Sequence, residues 1–140
     1  MRTHVRFTHP ATSELGALTE LAVANALTRA GRRVFLPFFN AHSRVDLIYE
    51  DDRRELKRVQ CKTARLKGDV MTFYACSHTG GVERSYRGEA DEFGVYCLET
   101  QAVYLVPVDE VPTRMVSLRV GPARNNQERR VRWAEPYRLS

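Results

Sequence analysis

Apolar residues recur every three to four positions along the first well-patterned stretch of the chain, and polar residues fill the gaps between them. This spacing predicts an amphipathic helix over residues 12–30. Thr12 or Ser13 can cap its first turn, Glu14 favours that turn, and Gly31 is well placed to end the helix. The patterned part of the chain therefore begins with one long helix.

After this helix, apolar residues either alternate with polar ones or form short runs between turn-forming residues. Because successive side chains of a strand point to opposite faces, such segments are typical of β-strands. Pro37 removes a backbone donor, so it places the first strand at a sheet edge or ends it there. The irregular segment 78–88 is the longest loop and a candidate substrate-contact loop. We predict strands over residues 34–39, 45–49, 56–63, 70–76, 93–98, 102–108 and 115–120.

A helix followed by a nearly continuous series of strands is typical of an α+β fold with a central mixed β-sheet. The 140 residues suit one core, so we predict a single domain over residues 1–140. With 43% hydrophobic and 28% charged residues, the composition is that of an ordinary globular protein. The first residues lack the apolar run of a signal peptide, and no segment reaches the roughly 20 apolar residues of a membrane span. We therefore expect a cytoplasmic protein without a membrane partner.

The three cysteines, Cys61, Cys76 and Cys97, are odd in number, widely spaced and surrounded by apolar or strand-like neighbours. This favours buried, reduced thiols over disulfides or zinc ligands. The histidines at positions 4, 9 and 78 show no metal-ligand spacing.

The net charge of +5 is concentrated near the C-terminus. Residues 1–113 are balanced, with 15 basic and 15 acidic side chains, whereas the segment 114–140 holds seven arginines against two glutamates. A second basic cluster lies between Arg53 and Lys67. Clustered arginines suit phosphate groups, which the planar guanidinium grips through two hydrogen bonds, although a solvated surface explains any single arginine equally well. The two clusters together favour a nucleic-acid partner.

The second and third predicted strands form a hairpin that brings a carboxylate, an amide and a lysine together. Asp46 lies on one strand, and Gln60 and Lys62 share one face of its partner because they are two residues apart. Mg²⁺ prefers oxygen ligands, which Asp46, the Gln60 side chain and the backbone carbonyl of Cys61 can supply. Glu20 on the helix is the best candidate for a second carboxylate. Such a set, with Lys62 stabilising negative charge, suits metal-dependent cleavage of a phosphodiester.

These motifs resemble the PD-(D/E)xK nuclease superfamily over roughly residues 13–108. The similarity is greatest to the group I intron-associated, homing-type endonucleases, and archaeal Holliday junction resolvases share a similar helix-then-hairpin core. The intron-associated branch has Gln where most of the superfamily has Glu, and this chain has Gln60. The motifs that carry the resemblance are Gly16-x-x-x-Glu20, Arg44-Val45-Asp46-Leu47, Val59-Gln60-Cys61-Lys62-Thr63 and Tyr86-Arg87-Gly88-Glu89-Ala90-Asp91-Glu92-Phe93.

The resemblance implies a restriction-endonuclease-like core, with a central mixed sheet flanked by helices, and a DNA endonuclease that uses Mg²⁺ or Mn²⁺. Its catalytic positions would be Glu20, Asp46, Gln60 and Lys62, with Glu20, Asp46, Gln60 and the Cys61 carbonyl as metal ligands. A homing-type or restriction-like enzyme and a junction resolvase both fit this pattern. Cutting both strands of a duplex needs two sites, hence a homodimer or homotetramer. The candidate DNA-contacting residues are Arg44, Arg58, Arg65, Lys67, Arg84 and Arg87.

Several alternatives are left open by the residues alone. Because Gln60 removes one negative charge, a non-catalytic nucleic-acid-binding module on the same fold is the second hypothesis. Asp46 could instead form a structural salt bridge with Arg44 or Arg58, and Glu20 could simply face solvent. The apolar stretch 103–108 fits either a subunit interface or the core. Further positions without an assigned role are His42, a loop histidine or a proton shuttle, and Tyr86 and Asp91, which could help to hold substrate.

Overall fold

The structure, a computed structural model, describes residues 11–39, 43–121 and 131–140. Within these ranges it contains one α-helix, nine strands and two short 3₁₀ turns. The elements are α1 (Thr12–Arg29), β1 (Arg33–Phe35), β2 (Leu47–Glu50), β3 (Leu56–Lys67), β4 (Val70–Tyr74), β5 (Cys76–Thr79), β6 (Val82–Ser85), β7 (Glu92–Cys97), β8 (Val103–Pro107), a 3₁₀ turn (Val108–Glu110), β9 (Met115–Arg119) and a second 3₁₀ turn (Glu135–Tyr137).

Seven of the strands form one mixed sheet, and β5 and β6 form a separate hairpin. The strand β3 pairs with β2, β4 and β7, and β8 and β9 extend the sheet from β7 and β4. The β3–β7 pairing is parallel, and the other pairings are antiparallel. The predicted α+β fold with a central mixed sheet is therefore confirmed.

The twelve-residue strand β3 is the central strand of the sheet and pairs with three other strands. Its first part pairs with β2, with Leu47 opposite Val59, and its middle part runs alongside β7, with Lys62 opposite Val95. Only its last three residues pair with β4, where Arg65 lies opposite Thr72. The strand β3 therefore belongs both to the part of the sheet that contains β1, β2, β7 and β8 and to the part that contains β4 and β9. Gln60 and Lys62 lie close to the point where these two parts meet.

Helix α1 packs on one face of the sheet through the apolar side chains of its C-terminal half. Val23 and Leu27 are completely buried and pack against Leu47 and Val59. Helix and sheet approach closely at Gly94 of β7, where an added Cβ would lie 2.6 Å from a methyl group of Val23. The position of the helix over the sheet is therefore tightly defined.

The other face of β7 and β8 is covered by strands β4 and β9. Phe73 of β4 meets Phe93 of β7 edge-to-face, with ring centroids 5.5 Å apart, and Val116 of β9 is completely buried in the same core. In the described part of the chain, α1 is the one α-helix beside the sheet. The twist of the sheet brings β4 and β9 round to close this core instead.

Several element boundaries differ from the predicted ones for identifiable reasons. The first strand ends at Phe35, two residues before Pro37, as a strand interrupted by proline at a sheet edge should. Residue 11, not 12 or 13, precedes the first helical turn, and Glu14 accepts the Ala11 backbone N–H at 3.3 Å. The predicted loop 78–88 contains most of the β5–β6 hairpin.

The stretch 103–108 is part of the core and not an exposed apolar surface. Val103, Val106 and Val108 are each at most 3% exposed. The free edge of β8 is covered by the C-terminal residues, since the Leu139 N–H donates to the Val103 carbonyl at 2.8 Å. Among the described residues, no helix is long and apolar enough to cross a membrane.

Candidate active site

Asp46 lies immediately before β2 and is fixed to β3 from both its backbone and its side chain. Its backbone N–H donates to the Val59 carbonyl at 2.8 Å, and its Oδ2 accepts the Cys61 N–H at 2.8 Å. The hairpin register therefore places the carboxylate beside the Gln60–Lys62 segment, as the sequence pattern predicted. The alternative of a salt bridge from Asp46 to Arg44 or Arg58 is wrong, because these arginines pair with Glu89 and Asp91.

Glu20 reaches the same place from α1. The preceding residue, Thr19, is buried, and its hydroxyl hydrogen-bonds that of Thr63 on β3 at 2.5 Å, which fixes this turn of the helix over the strand. Glu20 and Asp46 line one cleft of about 360 Å³, next to the exposed rings of Phe38 and Phe39. The two carboxyls that the sequence proposed as a pair are therefore neighbours.

Both carboxyl groups bind protons more readily than usual. Partial burial raises the pKa of Glu20, and the negative charge of Asp46 raises it further. Burial also raises the pKa of Asp46, although the Cys61 N–H and the ammonium of Lys62 act against this shift. Two adjacent carboxylates that resist ionisation are typical of a site that a cation would stabilise.

The Gln60 side chain supplies a further oxygen with no partner in the described structure. Its Oε1 is buried and has no hydrogen bond within that part of the chain, while its Nε2 lies 3.5 Å from the Cys61 carbonyl oxygen. A buried amide oxygen without a partner is costly unless something binds it. Glu20 and Asp46 line one cleft, whereas Gln60 lines a second cleft beside the β5–β6 hairpin. Carboxylate and amide oxygens are the donors that Mg²⁺ and Mn²⁺ prefer, so the chemistry of these residues fits a divalent ion.

Lys62 is held on the opposite side of β3 from the helix. Its Nζ donates to the Cys76 carbonyl at 3.2 Å and lies 3.3 Å from the Tyr86 hydroxyl oxygen. The same ammonium lies 4.6 Å from the centroid of the Tyr86 ring, which suits a cation–π interaction. The positive charge of Lys62 nevertheless acts on Asp46, because it opposes part of the rise in pKa that burial causes there.

Arg44 is engaged in structural contacts with the β5–β6 hairpin. Its guanidinium donates to the carbonyls of Ser85 and Arg84 at 2.9 and 3.0 Å, and pairs with Glu89 at 3.2 Å. It also stacks on Tyr86 at 3.8 Å from the ring centroid. The contacts of Arg44 therefore hold the hairpin and Tyr86 over Gln60 and Lys62.

The other candidate DNA-contacting residues differ in how far their charge is already used. Arg58, Arg65 and Arg84 each form a salt bridge with a carboxylate at 2.6 to 3.0 Å. Arg87 donates to the Val111 carbonyl at 3.0 Å, and Lys67 is exposed beside the β3–β4 turn. Of the residues considered in the sequence, the histidines at positions 4, 9 and 42 and three arginines of the C-terminal segment, at positions 124, 129 and 130, lie outside the described residues.

Three features of the site were not predicted. Sequence reasoning left the role of Tyr86 open, and nothing in its spacing indicated contact with Lys62. It placed Phe38 and Phe39 in a strand, whereas both rings are 88% exposed beside the acidic cleft. The third is the β5–β6 hairpin, whose exposed residues lack the clear alternation that marks a strand.

Comparisons with known proteins agree with this geometry. The family model described as PD-(D/E)XK endonuclease matches residues 11–140. A solved structure, that of the bacterial homing endonuclease I-Ssp6803I, has a TM-score of 0.71 to this chain at 20% sequence identity, and the match covers 92% of this chain and 89% of that chain. At this identity, the structural likeness shows a shared fold. No curated protein matches the chain significantly.

Proposed function

Because the chain belongs to the PD-(D/E)XK endonuclease family, we propose that it is a divalent-metal-dependent DNA endonuclease that hydrolyses phosphodiester bonds. One observation carries the proposal: the neighbouring carboxyls of Glu20 and Asp46, both with raised pKa, lie against a strand that presents a lysine and an amide oxygen without a partner among the described residues. This is the donor set for a cation beside a group that stabilises a phosphate.

Glu20, Asp46, Gln60 Oε1 and the Cys61 backbone carbonyl would hold the Mg²⁺ or Mn²⁺ ion. When bound, such an ion neutralises charge on the phosphate and lowers the pKa of a coordinated water. The Cys61 N–H, 2.8 Å from Asp46 Oδ2, fixes the orientation of that carboxylate. The pairing of Gln60 with two carboxylates gives the site one negative charge fewer than three carboxylates would.

Lys62 stabilises negative charge that develops on the scissile phosphate. Its ammonium is oriented by the Cys76 carbonyl and the Tyr86 hydroxyl, so two of its three protons have partners among residues 11–39, 43–121 and 131–140, and the third would bind substrate. A fixed positive charge at this point favours the transition state over the ground state.

The substrate is double-stranded DNA, cut in a homing-type or restriction-like manner by a homodimer or homotetramer. Two scissile strands need two sites, and one chain carries one set of these residues. Lys67 and the arginines at positions 58, 65, 84 and 87 would form the DNA-facing basic surface, and the salt bridges of Arg58, Arg65 and Arg84 would be exchanged for phosphate contacts. Arg44, whose guanidinium is held by the β5–β6 hairpin, would position that hairpin and would not contact DNA directly.

A cleavage assay tests the proposal directly. Supercoiled plasmid and a four-way junction are incubated with Mg²⁺ or Mn²⁺ and with the wild-type protein, Asp46→Asn or Lys62→Ala. We expect each variant to cut at least about a hundredfold more slowly, since each removes a group that acts on the phosphate or its cation. Asp52→Asn, in the exposed β2–β3 turn, and Lys57→Ala, also on β3, are the matched controls and should cut normally.

The same assay separates the alternatives. Preference for the four-way junction would indicate a resolvase-type nuclease. DNA binding without any metal-dependent cutting would contradict the proposal on these substrates and favour a non-catalytic binding module. A second readout is independent of cutting: Mg²⁺ or Mn²⁺ should raise the Tm of the wild-type protein, and Asp46→Asn should abolish the increase.

A further inference from the structure

The β5–β6 hairpin carries a second group of metal-ligating side chains, separate from the carboxylates of the proposed nuclease site. His78 and Glu83 lie directly opposite each other in its register, and Cys76 precedes His78 by two residues. Residues two apart in a strand share a face, so the register itself brings the three side chains to one side of the hairpin. The Cys76 Sγ, a His78 ring nitrogen and a Glu83 carboxylate oxygen all lie within 4.8 Å of one another.

We propose that Cys76, His78 and Glu83 form a site for a thiophilic divalent cation of the Zn²⁺ type. A thiolate, an imidazole and a carboxylate are the donors that Zn²⁺ uses, and three protein ligands with one water are typical of an open zinc site. A hard ion such as Mg²⁺ does not select thiolate. The chemistry of this group therefore differs from that of the oxygen ligands around Asp46.

The geometry needs little adjustment for such an ion. Typical zinc bond lengths and tetrahedral angles place ligand atoms about 3.5 Å apart. His78 Nε2 and Glu83 Oε1 are already 3.2 Å apart, and both side chains are about half exposed, so they can turn toward the buried sulfur of Cys76. The three ligand atoms lie within 4.8 Å of one another, and rotation of the two surface side chains can reduce this separation.

The Glu83 carboxylate is shared with Arg114, so a bound ion would take the carboxylate oxygen that Arg114 does not contact or would exchange with Arg114. Arg114 Nε lies 3.1 Å from Glu83 Oε1, and its backbone carbonyl lies 3.8 Å from the Cys76 Sγ. The edge of the Tyr74 ring meets the His78 imidazole, with centroids 5.9 Å apart. Binding releases the thiol proton, so the thiolate and the carboxylate together offset the charge of the ion, and Arg114 holds the carboxylate in place.

The site bears on Lys62 because the Cys76 backbone carbonyl accepts a hydrogen bond from its Nζ. An ion bound by Cys76 and by both strands of the hairpin fixes that carbonyl. Only this consequence for Lys62 rests on the proposed function; binding of the cation stands independently of nuclease activity, and the experiment measures binding alone.

The test uses the full chain with Glu20→Gln and Asp46→Asn, so that the nuclease carboxylates cannot contribute. Co²⁺ is added as a spectroscopic substitute for Zn²⁺, and Zn²⁺ stoichiometry is measured by equilibrium dialysis. We expect one ion per chain, a cobalt–thiolate charge-transfer band that Zn²⁺ abolishes, and a higher Tm with Zn²⁺. Cys76→Ala should remove the band, and His78→Ala and Glu83→Gln should each weaken binding at least about tenfold.

Cys97→Ala is the matched control, since Cys97 is also a buried, free thiol but is not part of the group. It should retain the band and the stoichiometry. Absence of a thiolate band in the parent protein would overturn the proposal. So would a band of unchanged strength in both His78→Ala and Glu83→Gln, whose exposed side chains can be replaced without disturbing the core.

Discussion

At the scale of single residues, Tyr86 determines how Lys62 is presented. The ring is 5% exposed and lies between Arg44 and Lys62, and its hydroxyl is within hydrogen-bonding distance of the lysine ammonium. It also packs edge-to-face on Phe93 in the core. The tyrosine therefore couples the rigid interior to a flexible charged side chain, which makes it a positioning residue for the proposed reaction.

Tyr86→Phe should reduce cleavage about tenfold while leaving the fold intact. The ring and its packing are kept, and the change removes one hydrogen bond to a charged group, worth about 1.5 kcal/mol, which corresponds to about one order of magnitude in rate. Single-turnover cleavage rates measure the effect, and the metal-dependent rise in Tm should be unchanged. Tyr74→Phe, at an exposed tyrosine of β4, is the control. A wild-type rate for Tyr86→Phe would contradict the positioning role.

The Arg58–Asp91 pair makes stability depend on pH in a predictable direction. Hydrogen bonds from the Arg58 side chain hold the pKa of Asp91 below its usual range. Because the folded state lowers this pKa, the pair stabilises the protein above the ordinary Asp pKa of about 3.9, and the contribution is lost as the pH falls through the lower folded value. Asp91→Asn should therefore lower the free energy of unfolding by about 1 kcal/mol at neutral pH, a figure kept small because solvent screens this partly exposed pair.

Urea unfolding of wild-type protein and Asp91→Asn at several pH values measures this effect. The difference between the two proteins should shrink below pH of about 4, where Asp91 is protonated in the unfolded chain. Asp52→Asn, in an exposed turn, provides the control. A difference that stays constant down to acid pH would show that the aspartate acts through packing and not through its charge.

The relative positions of some candidate site residues could be predicted from the sequence and those of others could not, for reasons of chain geometry. Asp46, Gln60 and Lys62 belong to one hairpin, where local pairing and the two-residue period fix which side chains face the same way. Tyr86 and Cys76 meet Lys62 only through tertiary structure, across 24 and 14 residues of chain. No local pattern encodes such contacts.

At the scale of elements, replacing two glycines by alanine should change stability in opposite directions, because one glycine is crowded and the other is not. Gly94→Ala should destabilise the protein by about 1–3 kcal/mol, because the new Cβ would lie 2.6 Å from a Val23 methyl, and a β-branched residue on a helix has little freedom to turn away. Gly16→Ala on α1 meets nothing within 4 Å and should stabilise by up to about 1 kcal/mol. Thermal unfolding measures both, and equal effects of the two substitutions would contradict this account.

Helix α1 and the buried strands were predictable because their burial imposes clear periods on the sequence. The hairpin β5–β6 was not, since most of its residues are exposed and no buried face selects an alternating pattern. Proline had the clearest local effect: residues 36–39 are apolar and aromatic, yet β1 ends before Pro37 and leaves them exposed. Composition alone therefore overestimated this strand.

At the scale of the whole molecule, each basic side chain of the proposed DNA-facing surface should contribute its own phosphate contact to the affinity for DNA. Lys67→Ala, measured in an Asp46→Asn background that binds without cutting, should weaken binding equally for all sequences and reduce the salt slope by about 0.9. Lys57→Ala is the control, because Lys57 lies on the same strand but is not among the residues of the proposed DNA-facing surface. Fluorescence anisotropy over a range of salt concentrations gives both slopes, and an unchanged slope for Lys67→Ala would exclude it from the contact surface.

The parallel pairing of β3 with β7 ties the appearance of activity to the order of folding. The hairpin of β2 and β3 can form early from neighbouring residues, whereas Val59 must find Glu92 across more than thirty residues of chain. A one-residue slip of β3 would turn Lys62 toward the helix and Cys61 toward the β5–β6 hairpin, so an error of register would bury the lysine charge among apolar side chains and is disfavoured. During refolding, the cleavage activity proposed for this chain should therefore return with the slowest non-local step and not with the early β2–β3 hairpin.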